Sequence, residues 1–246
     1  MIFEAIQHIL TPARKEVKAL GYVREAIAIE ARYKRCHAAW ATHLKKCHHH
    51  IMTAAEGLAP NATIMIVGSG ALHDVPMADL SAYNLILVDI IHLPKVRRRY
   101  RNDPKVQFME QDVTRLVQPM HQSGASSGMP PPLPRADLVI SLNILSQLPL
   151  NLTKYAQKRS IPLPDDFARS VMVDHLILLK TIAPHVLIIG DMERHYKKDT
   201  LLVETEFALP DIGLPAPNET WPWHIAPKGE LDKDISLTHQ VGCWHI

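Results

Sequence analysis

A short apolar run that leads directly into a glycine turn constrains the fold of this chain more than any other feature. The run is Thr63–Val67, and the turn is Gly68-Ser69-Gly70. The run has no polar alternation, which is typical of a parallel strand covered on both faces. Glycines after such a strand let the backbone pass close to a ligand at the carboxyl edge of the sheet. We therefore predict the first strand of a ligand-binding α/β domain; an ordinary tight turn is the alternative.

Further short apolar runs follow, with room for helices between them. They predict strands at residues 85–88, 106–109, 138–142 and 186–189, and helices at 94–101 and 164–182. Alternating strands and helices favour a doubly wound, mostly parallel sheet, for which we expect seven strands and an antiparallel edge. Two C-terminal runs, 201–208 and 236–244, are joined by a proline-rich connection and predict an antiparallel pair at that edge.

The N-terminal quarter of the chain has a different pattern. Residues 12–58 are rich in Ala, Glu, Lys, Arg and Leu, and no proline follows Pro12 before Pro60. This composition predicts two or three helices. We divide the chain into a helical N-terminal cap, residues 1–60, and a Rossmann-like domain, residues 61–246. The segment 123–134, rich in serine, glycine and proline, predicts a surface loop before the fourth strand.

Charge and cysteine content exclude several classes of protein. A formal net charge of +2 is too small to demand a polyanionic partner, so nucleic-acid binding is not expected. Three cysteines do not suggest a disulfide framework, which favours a reducing compartment. No apolar run reaches the roughly 18 residues of a membrane span, and residues 1–10 contain Glu4 and His8. We expect a cytoplasmic protein that does not enter a membrane.

Acidic residues follow the second and third predicted strands. Asp89 stands nineteen positions after Gly70, close to the roughly 20-residue spacing at which a carboxylate meets a ribose. Asp112 follows the third strand, where a carboxylate could accept from an exocyclic adenine amine while Val113 offers an apolar edge. Both have simpler interpretations, because Asp89 could end a strand in solvent and Asp112 could cap the next helical turn.

Taken in order, these sites resemble the class I S-adenosylmethionine-dependent methyltransferases over residues 63–190. The resemblance implies S-adenosyl-L-methionine as cofactor, with its methionine part on the glycine loop, its ribose on Asp89 and its adenine at Asp112. It also implies that the segment after the fourth strand closes over the sulfonium. The cofactor-binding residues implied are Gly68, Ser69, Gly70, Asp89, Ile90, Asp112, Val113 and Asn143.

The sequence departs from the family pattern in two places. The glycine loop lacks the usual third glycine and the acidic residue ahead of it. No Asn/Asp-Pro-Pro-Tyr tetrapeptide occurs at Asn143, so the methyltransferases of exocyclic base amines are not supported. The irregular loop supports a second hypothesis, a catalytically inactive methyltransferase-like module that binds or acts as a scaffold.

A third hypothesis is an NAD-dependent oxidoreductase. Its fingerprint requires Gly or Ala at the sixth position, so that a helix can pack tightly and face a pyrophosphate. His73 occupies that position, and Asp74-Val75-Pro76 indicates a later helix start with a negative charge near the phosphate site. The sequence therefore favours the methyltransferase interpretation.

The acceptor is the least determined part of the site. Methyl transfer from a sulfonium is an in-line displacement that depends on alignment, so no catalytic base or metal is required and none is assigned. We expect a small-molecule acceptor. Asp191 and Glu193, just past the fifth strand, could touch it or start a helix. By analogy with relatives whose N-terminal helices cover the active site, the residues expected to line the acceptor pocket are Arg24, Tyr33, Trp40 and His43.

Cysteine and histidine also cluster in the cap. The pairs Cys36-His37 and Cys47-His48 stand eleven residues apart and are followed by His49 and His50. Eleven residues are close to three helical turns, but the spacing matches no compact zinc pattern. We therefore predict no metal site and interpret the cluster as a polar helix end with two half-buried cysteines.

Overall fold

The computed structural model describes residues 10–125 and 132–246, and these contain eight strands of one mixed sheet. In chain order the strands are β1 Thr63–Val67, β2 Asn84–Asp89, β3 Val106–Glu110, β4 Leu138–Leu142, β5 His185–Lys198, β6 Leu201–Phe207, β7 Glu219–Ala226 and β8 Ile235–His245. The central part of the predicted loop at 123–134 lies outside the described residues.

The strand order across the sheet is β3-β2-β1-β4-β5-β8-β7, with β6 pairing to β5 beside this path. The pairings among strands β1 to β5 are all parallel. The pairings of β8 with β5, of β7 with β8 and of β6 with β5 are antiparallel. This arrangement confirms the doubly wound, mostly parallel sheet with an antiparallel edge.

The predicted pairing of the two C-terminal runs with each other is wrong. Strand β5 continues to Lys198, well beyond its predicted end at residue 189, and its second half pairs with β6 through residues 193–198 and with β8 through the same residues. The two runs therefore lie on opposite sides of β5. Strand β7, within the predicted connection, was missed because it contains Pro222, which is tolerated at a sheet edge.

Besides a 3₁₀ helix at Leu145–Gln147, the described residues form these α-helices: α1 Lys15–Ala19, α2 Tyr22–Ala55, α3 Pro94–Tyr100, α4 Val117–Ser123, α5 Leu150–Arg159 and α6 Phe167–Ile182. Within residues 68–83, which connect β1 to β2, the chain forms turns, so the helix start expected at Asp74-Val75-Pro76 is wrong. None of the described helices combines the length and apolar character needed to cross a bilayer.

Side chains of each central strand alternate between two hydrophobic layers. In β1, Ile64 and Ile66 face the layer that contains α2 and α3, whereas Met65 and Val67 face the layer that contains α4, α5 and α6. A sheet buried on both faces explains why the strand lacks polar alternation. The sheet therefore lies between two helical layers.

Helix α2 joins the sheet through aromatic residues. The indole Nε1 of Trp40 donates to the carbonyl oxygen of Ile225 in β7 over 2.9 Å. Its ring also meets that of Trp223 edge-on, with centroids 5.0 Å apart. Trp40 belongs to the same hydrophobic cluster as β1, β2 and β4. The division into a cap and a Rossmann-like domain at residue 60 remains a prediction.

Truncation of Trp40 tests this packing. We expect Trp40→Ala to lower the free energy of unfolding by about 3–5 kcal/mol, because it leaves a cavity between α2 and β7. Trp40→Phe should cost about 1–3 kcal/mol, since the Ile225 carbonyl loses its buried donor. Urea unfolding followed by circular dichroism measures both. Lys45→Ala, on the exposed side of α2, is the control and should change the free energy of unfolding by about 0.5 kcal/mol or less. An equally small effect of Trp40→Ala would contradict the described packing.

Candidate functional site

A cavity of about 460 Å³ lies at the carboxyl ends of the parallel strands, between the sheet and α2. The strand order reverses here, since β1 is followed by β2 on one side and has β4 on the other. Doubly wound sheets bind ligands at this reversal. The volume is in the range of roughly 300–1,000 Å³ that is usual for small-molecule sites. All eight residues expected to bind a cofactor line the cavity.

The glycine loop is packed tightly at its first residue. Gly68 has a φ of +83°, and a Cβ there would lie 2.7 Å from the carbonyl oxygen of Leu142 and 2.8 Å from Cβ of Ile144. Only glycine fits such a position. Gly70 differs, because a Cβ there would meet no heavy atom closer than 3.8 Å. The loop is thus anchored at Gly68 and faces open space at Gly70.

Asp89 holds the loop in place. One carboxylate oxygen accepts from the Gly70 amide over 2.8 Å, and the other accepts from the Ile90 amide over 2.8 Å. Burial raises the pKa of Asp89 to about 6 despite these hydrogen bonds. A carboxylate can accept about four hydrogen bonds. Asp89 therefore organises the cavity floor and keeps capacity for a ligand donor.

Asp112 caps the approach to α4, the simpler of its two interpretations. One of its oxygens accepts from the Thr114 amide over 2.9 Å, and the other accepts from the amide of Val117, the first residue of α4, over 2.9 Å. The carboxylate is buried, and Asp112 lines the cavity together with Val113. Its contact with adenine remains a prediction.

Asn143 connects the turn after β4 to α2. Its backbone is left-handed, with a φ of +51°. Its side-chain nitrogen donates to Asp74 over 2.8 Å and lies 3.2 Å from Nε2 of His43. Burial raises the pKa of Asp74. Within the described ranges, the buried Oδ1 of Asn143 has no hydrogen-bond partner.

His43 is held as a neutral ring. Burial, assisted by nearby His239, lowers the pKa of His43 to about 3. Its Nδ1 accepts from the indole of Trp221 over 3.1 Å, and the ring stacks on Trp223 with centroids 3.9 Å apart. A neutral imidazole that accepts at Nδ1 carries its proton on Nε2. His43 is therefore a wall of the cavity and has no free lone pair for base catalysis.

A charged cluster that the sequence analysis identified only through Asp191 also lines the cavity. Asp191 accepts from Ser146 and from Nε of Arg194, the latter over 2.8 Å. Nδ1 of His239 lies 3.6 Å from the same carboxylate. Burial opposes ionisation of Asp191, but His239 and Arg194 outweigh it and lower its pKa. The expected helix start at Asp191 is wrong, since β5 continues through it.

The residues expected around the acceptor separate into two groups. Trp40 and His43 line the cavity. Arg24 is exposed and Tyr33 is not a lining residue. Tyr33 instead stacks on His73, which does line the cavity, with ring centroids 3.5 Å apart. The helical period of α2 places Tyr33 behind the cavity-lining residue His73, and Arg24 faces solvent.

Neither a scan against protein-family models nor a search of curated proteins gave a match. Similar solved structures include magnesium protoporphyrin IX methyltransferase from Synechocystis PCC 6803 with bound SAM, which is 12% identical with a TM-score of 0.42 over 81% of this chain and 79% of that one. The 1,6-didemethyltoxoflavin-N1-methyltransferase from Burkholderia thailandensis is 15% identical with a TM-score of 0.42, over 84% and 78%.

Another similar structure is a putative Zn-dependent alcohol dehydrogenase from Rhodobacter sphaeroides, 12% identical with a TM-score of 0.36 over 57% of this chain and 45% of that one. This chain thus spans less than half the length of the dehydrogenase. These likenesses do not establish a family. The Rossmann-like fold is defined by the chain's own strand order.

The packing at Gly68 predicts a large effect of a single methyl group. We expect Gly68→Ala to lower the free energy of unfolding by about 2–5 kcal/mol, from left-handed strain of about 1–2 kcal/mol plus overpacking of about 1–3 kcal/mol. Gly213→Ala is the matched control, since Gly213 has a φ of +74° and a Cβ added there would meet no heavy atom within 4 Å. In this control the free energy of unfolding should fall only by the contribution of the left-handed strain. Equal losses in urea unfolding would contradict the close contact with Leu142.

Proposed function

We propose that the chain transfers the methyl group of S-adenosyl-L-methionine to a small-molecule acceptor in this cavity. The observation that carries the proposal is that the glycine loop after β1, Asp89 after β2, Asp112 after β3 and Asn143 after β4 line one cavity at the reversal of strand order. These elements come from separate parts of the sequence. Their convergence is what a bound nucleoside with an attached amino acid requires.

The cavity has the features that the cofactor needs. The open space above Gly70 suits the methionine part, and Asp89, which accepts from the amides of Gly70, Ile90 and Ile91, keeps one lone-pair position for a ribose hydroxyl. Ile90 and Val113 offer apolar surface for an adenine ring. The cofactor supplies a sulfonium-activated methyl group when bound. The protein then has to hold and align both reactants and exclude water.

The acceptor would occupy the other half of the cavity, under α2. This half is lined by Trp40, His43, Trp223, Ile225 and His239. Aromatic walls favour a planar or largely apolar molecule. Among the described residues, the buried Nε1 of Trp223 has no hydrogen-bond partner, whereas Nδ1 of His239 faces Asp191 at 3.6 Å. Unpaired buried polar atoms are costly, so an acceptor with a hydrogen-bonding group that reaches Nε1 of Trp223 would bind more tightly.

Ligand binding tests the proposal directly. Calorimetry should show one site for S-adenosylmethionine and for S-adenosylhomocysteine, and no binding of NAD. Asp89→Asn should weaken both sulfur compounds by about 10–100-fold, because a charged acceptor for hydroxyl groups is lost. Asp79→Asn, at an exposed position, is the control and should bind as the wild type does. Circular dichroism verifies that each variant is folded.

Each other outcome has a definite meaning. A folded wild-type chain that binds neither sulfur compound would contradict the proposal. Binding of NAD instead would favour an oxidoreductase. Binding of S-adenosylmethionine without transfer of labelled methyl to any member of a broad panel of small molecules would favour a binding module.

The pKa of Asp89 also predicts a pH dependence. Because that pKa is raised to about 6, the carboxylate is ionised at pH 8 and becomes protonated as the pH falls through 6. The ionised form accepts hydroxyl hydrogen bonds more strongly. We expect affinity for S-adenosylhomocysteine to be constant above about pH 7 and to fall by up to about tenfold per pH unit below 6. In Asp89→Asn the affinity should no longer fall below about pH 6. If the variant keeps the same fall in affinity, another group causes it.

A further inference from the structure

A second cluster of chemically reactive side chains lies away from the cavity. It contains His50 from the last turns of α2, and Cys243 and His245 from β8, whose candidate ligand atoms all lie within 4.8 Å of one another. Cys243 and His245 are two residues apart on one strand, so they project to the same face. Neither lines the cavity. The cluster was not predicted, because α2 and β8 are separated by most of the sequence.

We propose that His50, Cys243 and His245 bind one Zn²⁺ ion. The proposal is independent of the cavity and of the ligand assigned to it. Two imidazoles and one thiolate are ligands that zinc prefers, and three protein ligands leave the fourth position for water. On binding, the metal replaces the thiol proton of Cys243, which is released to solvent.

The histidine pair already has the spacing of a metal site. Nδ1 of His50 lies 3.5 Å from Nε2 of His245. Two nitrogens on one tetrahedral zinc are about 3.4 Å apart, given Zn–N bonds of about 2.0–2.1 Å. This separation is at the upper limit for a hydrogen bond between the same atoms. The two rings can therefore accept an ion between them with little movement.

The surroundings of His50 support the same assignment. Its other ring nitrogen, Nε2, lies 2.9 Å from a carboxylate oxygen of Glu219. Glu219 in β7 pairs with Cys243 in β8, so this carboxylate stands beside the proposed ligands. A histidine that ligates a metal through one nitrogen almost always donates to a carboxylate or carbonyl through the other. Glu219 would thus orient His50 without binding the ion itself.

The site is accessible and lies beside the first half of β5, whereas the residues of β5 that line the cavity lie farther along the strand. Cys243 and His50 are buried, whereas His245 is exposed and gives an ion a path from solvent. Cys243 and His245 pair with Ile189 and Leu187, in the first half of β5. An ion here would cross-link the end of α2 to the sheet. It would therefore stabilise the helix that covers the cavity.

Metal titration of the full chain after chelator treatment tests the proposal. Competition with a chromophoric chelator should show one Zn²⁺ per chain, and Co²⁺ should give a thiolate-to-cobalt charge-transfer band. His245→Ala, an exposed change that leaves the core intact, should weaken Zn²⁺ binding at least 10-fold. Cys243→Ser should abolish the cobalt band, and Glu219→Gln should weaken binding about 10–100-fold. Zn²⁺ should also raise the unfolding midpoint of the wild type more than that of His245→Ala at the same metal concentration.

The controls are His224→Ala, an exposed histidine of β7, and Cys36→Ser, a buried cysteine of α2; both should bind as the wild type does. The absence of saturable Zn²⁺ binding by the wild type would overturn the proposal and leave a structural hydrogen bond between the histidines. Unchanged binding in folded His245→Ala would also overturn it. Binding lost in Cys47→Ser but kept in Cys243→Ser would place the ion at His43, Cys47 and Asp74, contrary to the proposal.

Discussion

The contact between Gly68 and the turn after β4 is the constraint on which the site depends. Because the Leu142 carbonyl oxygen lies so close to Cα of Gly68, the end of β1 and the end of β4 form one continuous floor of the cavity. Asp89 then fixes the next part of the loop through the Gly70 amide. A larger residue at position 68 would separate the two strand ends. The cavity lies at the carboxyl ends of these two paired strands.

Helix α2 completes the cavity from above. In a doubly wound fold the connection after the first strand usually contains a helix, but here residues 68–83 form turns and α2 belongs to the layer on that face. The half of the cavity that we propose for the acceptor is therefore built by the N-terminal helix together with β7 and β8. Changes in α2 should therefore affect the binding of the proposed acceptor more than the binding of the proposed nucleoside, because the residues proposed to bind the nucleoside follow the strand ends.

Elements that a local sequence pattern specifies could be predicted, whereas contacts between distant segments could not. Strands β1 and β4 were placed to the residue, since both are apolar on both faces and end at glycine or polar turns. The second half of β5 was not predicted, because residues 191–198 are mostly charged or polar and show no apolar alternation. The cluster of Asp191, Arg194 and His239 depends on pairing between β5 and β8, which no local pattern encodes. The contact between α2 and β8 could not be predicted for the same reason.

A crystal structure of the chain with S-adenosylhomocysteine would decide whether the cavity holds a nucleoside in this way. We predict a nucleoside in the cavity, with its ribose hydroxyls within hydrogen-bond distance of the Asp89 carboxylate, its amino-acid part over Gly70 and its sulfur facing Asn143 and the space under α2. A ligand bound elsewhere, or in the cavity with its ribose away from Asp89, would contradict this assignment.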